Sequence, residues 1–175
     1  MAEVILKNLS KSFGKDVGIA DVSMVIPDGA FVVLLGPTGA GKTTTLRLIS
    51  GLEKVDAGEV WIGGRNVATE TPAQRDVAMV FQQYSLYPHL SVRDNLAFPL
   101  KSPILRTPAD EIERKVAEVA SVLQISHKLD NKATALSGGE MQRVSIGRAL
   151  VRDRSIYSMD EPLSSLCLLH TSPSP

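Results

Sequence analysis

The chain has 175 residues, 43% hydrophobic and 22% charged, a composition that suits one soluble globular domain with a core of its own. Lys and Arg together number 19, as do Asp and Glu, so no bulk positive field draws the chain to nucleic acid or anionic lipid. The single cysteine, Cys167, excludes a disulfide framework and fits a reducing compartment. The opening residues MAEVILKNLSKSFG show no charged-then-apolar leader. The longest apolar run, Ala30–Leu35, is too short to cross a bilayer, so a membrane role has to come through a partner.

In chain order, EVILKNL reads as a strand, and GAFVVLLG, bounded by Gly29 and Gly36, as a buried parallel strand. A helix is expected from Lys42, with Leu46, Ile49 and Leu52 at helical spacing and Gly51 ending it. GEVWIGG predicts a short strand closed by glycines, and RDVAMVFQ another that enters a loop at Gln82. In TPADEIERKVAEVASVLQI, Thr107 takes the N-cap and Pro108 the first helical position. Ile112, Val116, Val119, Ala120 and Leu123 then share one face. A further helix is expected over about 138–152, and SIYSMD as a strand ending at Asp160. No internal repeat is present, and TSPSP is the one low-complexity piece.

Gly36, Gly41, Lys42 and Thr43 satisfy G-x-x-x-x-G-K-[ST] between a predicted strand and a predicted helix, the context a phosphate loop requires. Its glycines let backbone N–H groups and a helix N-terminus face an anion. Lys42 can neutralise phosphate charge, and the Thr43 hydroxyl can ligate Mg²⁺. Asp160 and Glu161 follow a predicted strand, where one carboxylate can serve a Mg²⁺ shell and the other can deprotonate an attacking water. The same pair also reads as acids at a helix start before Pro162.

LSGGEMQR, residues 136–143, supports a capping box between Ser137 and Glu140 with a glycine helix entry. It also supports a second anion-binding helix start at Gly138 and Gly139. The order of the phosphate loop, Gln82, LSGGE and MDEP resembles the nucleotide-binding subunit of ABC transporters over residues 1 to about 166. The stretches PAQRDVAMVFQQYSLYPHLSVRDNLAFPLK and LSGGEMQRVSIGRALVR are similar to the ATPases of carbohydrate importers of the maltose and glycerol-phosphate type.

That resemblance implies an α/β P-loop NTPase fold with a RecA-like parallel sheet core, an inserted α-helical subdomain and an N-terminal antiparallel β part, incomplete at the C-terminus. The core is expected at about 1–84 and 153–166 and the helical subdomain at about 85–152. It further implies that ATP is held by Phe13 and by Gly36, Pro37, Thr38, Gly39, Ala40, Gly41, Lys42, Thr43 and Thr44. Phe13 would stack on adenine, although a core or hairpin aromatic is its other reading. Mg²⁺ is assigned to Thr43, Gln82 and Asp160, and catalysis to Glu161, Gln82 and Lys42. Ser137, Gly138, Gly139 and Glu140 would complete the ATP site of the opposite subunit. Gln83 takes the place of Gln82 if the register shifts by one.

The implied activity is ATP hydrolysis that powers a membrane importer of carbohydrates. The implied partners are a second nucleotide-binding subunit, in a homodimer, transmembrane permease subunits and, indirectly, a solute-binding protein, at the cytoplasmic face of the membrane and without nucleic acid. A permease groove would include Tyr84, Leu86, Tyr87, Leu90 and Phe98, each of which also reads as core packing. His89 receives no catalytic role.

The chain departs from the family at Cys167, where an aspartate is usual, at Arg154, where a proline is usual, and at Ser158, a polar residue in a strand expected to be buried. His170 lies too near Glu161 to be the family's γ-phosphate histidine. CLLHTSPSP resembles translated sequencing-adapter read-through, so residues 167–175 are expected to be foreign to the fold. Two alternatives stay open: a non-catalytic fragment that at most binds nucleotide, and a soluble ABC-type ATPase outside transport.

Overall fold

The computed structural model describes residues 2–102 and 105–162. It is α/β, and its described residues divide into two compact units: residues 2–79 with Arg154–Asp160, and Val80–Asp153 with Glu161 and Pro162.

In the first unit, β1 (Val4–Phe13), β2 (Asp16–Ile26), β3 (Ala57–Ile62) and β4 (Arg65–Asn66) form an antiparallel sheet in the order β2-β1-β3-β4. Val4, Leu6 and Leu9 of β1 and Val60 and Ile62 of β3 point to one face. They pack there with Leu48 and Ile49 of α1 (Lys42–Ser50). The step from Leu6 to Leu9 breaks the two-residue alternation. A register shift between those residues, with Asn8 at φ 48°, returns the apolar side chains to the core face. A two-stranded parallel sheet pairs β5 (Val77–Val80) with β6 (Ile156–Met159).

In the second unit, α2 (Val92–Ala97), α3 (Ala109–Val122) and α4 (Gly138–Leu150) enclose a separate core. Ile112, Val116 and Ala120 of α3 meet Val92 and Leu96 of α2 and Val144 of α4, with Val119 and Leu123 at its edge. The five-residue apolar face expected of α3 is therefore the face that packs. The approach of α2 to α4 is close: a Cβ at Gly147 would stand 2.6 Å from Leu96 Cδ2.

Three expectations are corrected. Residues 29–36 do not form a buried strand: Phe31 is 91% and Leu35 89% exposed, and no ladder partner lies beside them among the described residues. A buried parallel strand needs paired edges and two covered faces, whereas β5 and β6 pair with each other. Helix α3 starts one residue later than expected, with Pro108 in the N-cap position at ψ 150°, so Thr107 is not its cap. Helix α1 ends at Gly51 as expected, but its buried residues are Thr45, Leu48, Ile49 and Ser50, with Leu52 39% exposed. Three elements were not expected from sequence at all: β2, β4 and α2. Cys167 and His170 lie outside the described residues.

Replacing Leu96, fully buried between helices, by alanine is expected to lower the unfolding free energy by about 2–5 kcal/mol, read from the urea midpoint. An unchanged midpoint would show that this side chain is not a core contact.

Candidate functional site

The stretch read as a phosphate loop, residues 36–41, lies in the first unit and leads into α1. Gly41 is the N-cap, in the left-handed region at φ 79°. A Cβ there would fall 2.4 Å from Ile19 Cγ2 and 2.7 Å from the Gly18 carbonyl oxygen. Only glycine satisfies both the backbone angle and the approach to β2. No side chain caps α1, so the N–H groups of its first turn remain open for an anion. Lys42 Nζ donates to the carbonyls of Gly36 and Pro37, both at 2.8 Å, and so holds the loop curled around its own ammonium. The Ala40 N–H donates to Pro37 O at 3.2 Å, which closes the turn through Thr38 and Gly39.

Thr43 Oγ1 donates to Asp160 Oδ1 at 2.9 Å. Asp160 is 6% exposed, directly beyond β6, while Thr43 is exposed at the helix start. The two groups are hard oxygen donors already in contact. Mg²⁺ takes one or two carboxylate or hydroxyl oxygens and fills the remaining positions with water and substrate phosphate, so this donor set fits it. Thr44 follows in the first turn of α1. Phe13, 45% exposed, ends β1, and its ring lies over Gly18: a Cβ there would be 2.9 Å from Phe13 Cε2. Gly18 in turn abuts Gly41, so the aromatic stands one residue's width from the loop.

The second unit holds the other predicted residues. Gln82 Nε2 donates to Glu161 Oε2 at 2.7 Å, and both residues are exposed. Glu161 sits at φ 47°, a strained backbone angle for a residue with a Cβ. Gln83, the neighbouring candidate, accepts from Ser85 Oγ through its main-chain carbonyl at 3.0 Å.

Ser137 is the N-cap of α4 and forms the full capping box with Glu140. Glu140 Oε2 accepts from the Ser137 N–H at 2.8 Å and from Ser137 Oγ at 2.9 Å, and Lys128 Nζ lies 3.2 Å from Oε1. The Ser137 N–H first, then its hydroxyl and Lys128, hold the Glu140 carboxyl down at about 2. Gly138 passes under the Tyr84 hydroxyl, 3.3 Å from where a Cβ would stand, and Gly139 continues the first turn.

Among the groove candidates, Leu86 packs on the helical core, and the Tyr87 and Phe98 rings meet tilted at 43° with centroids 4.4 Å apart, Arg148 lying over the Tyr87 ring at 4.6 Å. Phe98 remains 46% exposed and His89 exposed.

Two positions singled out as departures acquire structural partners or lack them. Arg154 pairs with Asp76, whose other oxygen accepts from Ser155 N and Oγ, so the substitution ties the start of β6 to the start of β5. Ser158 is buried, and its hydroxyl has no hydrogen-bond partner among the described residues. Sequence reasoning missed Arg75, Asp76 and Lys128 as organising residues. Each acts through an ion pair or a main-chain contact distant in sequence, and a charged residue in a polar stretch gives no local signal of that.

A profile of the family described as ABC transporter matches residues 19–164. The chain is 50% identical over 167 residues to the sn-glycerol-3-phosphate import ATP-binding protein UgpC of Brucella abortus (strain 2308), covering 95% of this chain and 47% of that protein. It is 47% identical to the trehalose import ATP-binding protein SugC of Mycobacterium tuberculosis (strain CDC 1551 / Oshkosh), covering 95% of this chain and 42% of that one. The chain thus spans about half the length of the curated relatives it matches. Among solved structures, a nucleotide-free ATP-binding cassette from an ABC transporter superposes with TM-score 0.79 at 29% identity, covering 93% of this chain and 70% of that one. The ADP conformation of MJ1267, an ATP-binding cassette of an ABC transporter, gives 0.78 at 28% identity, covering 94% and 70%.

Because the folded Glu140 carboxyl is held below its ordinary value of 4.5, its stabilising contacts are fully present above pH 4.5 and are lost as pH falls toward about 2. Glu140→Gln is therefore expected to lower the melting temperature at pH 7, and the difference from the parent should shrink steadily on acidification through that window. A difference independent of pH would refute the ionic capping box.

Proposed function

Because the chain belongs to the ABC transporter family, we propose that it is the ATP-binding and ATP-hydrolysing part of a subunit that powers a membrane importer of carbohydrates or related polar solutes. The observation that carries this reading is the contact of Thr43 with the buried Asp160 at the mouth of an uncapped, glycine-led helix. Backbone N–H groups, an ammonium and two hard oxygens meet there, a combination suited to a polyphosphate and its metal. The relatives named for import of sn-glycerol-3-phosphate and of trehalose supply the solute class.

In this reading the first-turn N–H groups of α1 and the Lys42 ammonium bind phosphate oxygens, Lys42 exchanging its two carbonyl partners for the anion. Phe13 offers a ring for the base. Mg²⁺, when bound, would neutralise phosphate charge, and Thr43 Oγ1 and Asp160 would hold it, with Gln82 as the third residue the resemblance assigns. Glu161 takes the proton of the attacking water as the water oxygen bonds to the terminal phosphorus and the bond to the leaving ADP oxygen breaks. The Gln82 amide, donating to Oε2 at 2.7 Å, orients that carboxylate. Ser137, Gly138, Gly139 and Glu140 present a second helix start to the nucleotide of a partner copy.

The partners in this reading are a second nucleotide-binding subunit and the permease subunits. Among the described residues no helix is long and apolar enough to cross a membrane.

Glu161→Gln is expected to leave ATP binding intact and to cut turnover by about a hundredfold or more, the scale of a lost general base. Undiminished turnover in the variant would remove Glu161 from the role. Nucleotide binding by the unaltered chain without turnover would leave binding in place and overturn hydrolysis by this stretch alone.

A further inference from the structure

Arg75 is 1% exposed, a buried cation that the phosphate site does not touch. Its guanidinium donates to four main-chain carbonyls: Nη1 to Leu48 O at 2.6 Å and to Ile49 O at 3.2 Å, Nη2 to Ala68 O at 3.1 Å, and Nε to Glu70 O at 3.0 Å. Burying a charge is costly unless its donors are satisfied, and the fixed fork of the guanidinium satisfies them here with backbone alone. Two of the four acceptors belong to the last turn of α1, where carbonyls lack an N–H four residues on within the helix and the dipole favours a cation, Leu48 O accepting besides from the Gly51 N–H at 3.3 Å. The chain also closes around the group: Gly51, at φ 77°, would put a Cβ 2.6 Å from Arg75 Nε.

Helix α1 has nine residues, a length too short to be stable by itself. At its N-terminus no side chain caps Gly41 and no acid lies in the first turn. Such a cap would stabilise the helix by about 1 kcal/mol, but it would also occupy the N–H groups that an anion must reach. With the first-turn N–H groups kept open, side-chain hydrogen bonding to the helix backbone is placed at the other end, about 13 Å away along the axis at 1.5 Å per residue.

We infer that Arg75 is a positioning residue for nucleotide: by fixing the C-terminal turn of α1 to the segment 68–70, it holds the open first turn of that helix in place for phosphate. The inference rests on the reading of residues 36–44 as a nucleotide site. It adds a residue outside that loop whose loss weakens phosphate binding without touching phosphate.

The test compares the parent with Arg75→Ala and Arg75→Lys in two measurements. Affinity for ATP is measured with and without millimolar ethylguanidinium or ethylammonium, and backbone hydrogen exchange is followed along α1 in the absence of nucleotide. Arg75→Ala is expected to weaken ATP binding about tenfold or more, as misplacement of binding groups does. Ethylguanidinium should restore the affinity and ethylammonium should not. Exchange should accelerate from Thr45, the first hydrogen-bonded amide of the helix, to Ser50 while the sheet strands β1 and β3 keep their protection.

Arg75→Lys, which keeps the charge and loses the fork, should fold and show the same pattern more weakly. ATP affinity within twofold of the parent in either folded variant, or a uniform loss of protection across sheet and helix, would overturn the inference. If the parent itself binds no ATP, the nucleotide reading fails, and with it the role of Arg75 in binding. Exchange along α1 would then still report whether the guanidinium anchors the helix.

Discussion

The hydrogen bond from Thr43 to Asp160 joins two residues 117 positions apart, and the functional reading depends on it. Without that contact α1 would offer a helix start with a nearby lysine, a feature that serves any anion. With it, a hydroxyl at the helix start and a buried carboxylate at the end of β6 share one space. The carboxylate is only 6% exposed, so it is aimed at a polar partner and not spent on solvent.

The local backbone serves that contact. Gly41 must turn left-handed while passing against Gly18 and Ile19, which sets α1 directly beside β2. Arg75 holds the far end of the same helix through Leu48 and Ile49. The helical unit shows the opposite arrangement at its own helix start. There Ser137 and Glu140 occupy each other in a capping box braced by Lys128, so the N-terminus of α4 is closed by its own side chains. One helix start is left open and the other is latched, and a ligand meeting the second would have to compete with Glu140.

Much of this was legible in the sequence because its signals were local. The 3.6-residue spacing of Ile112, Val116 and Ala120 gave α3, the Ser137–Glu140 pair gave the start of α4, and Gly51 gave the end of α1. The turn into α1 at Gly41 was readable because glycine spacing encodes backbone geometry directly. Elements that depend on tertiary partners were not readable. Strand β2 changes phase between Ile19 and Val22, where the register shifts, and α2 is six residues long, so neither carries one sustained period.

The apolar run 30–35 has the composition of a buried strand yet finds no ladder among the described residues, since composition names a preference and pairing decides the outcome. Thr107 failed as a cap because Pro108, with ψ at 150°, belongs before the first helical residue of α3. Arg75 anchors the end of α1 through Leu48 and Ile49, and Asp76 ties the start of β5 to that of β6 through Arg154 and Ser155, contacts distant in sequence that residue-by-residue reading does not reach.

The most direct measurement is calorimetric titration of ATP into the parent and into Asp160→Asn, each with Mg²⁺ and with the metal chelated. The parent should bind ATP more tightly when Mg²⁺ is present, and Asp160→Asn should lose that gain while keeping its metal-free affinity. An equal gain from Mg²⁺ in both proteins would contradict the assignment of the Thr43–Asp160 pair as the metal side of a nucleotide site.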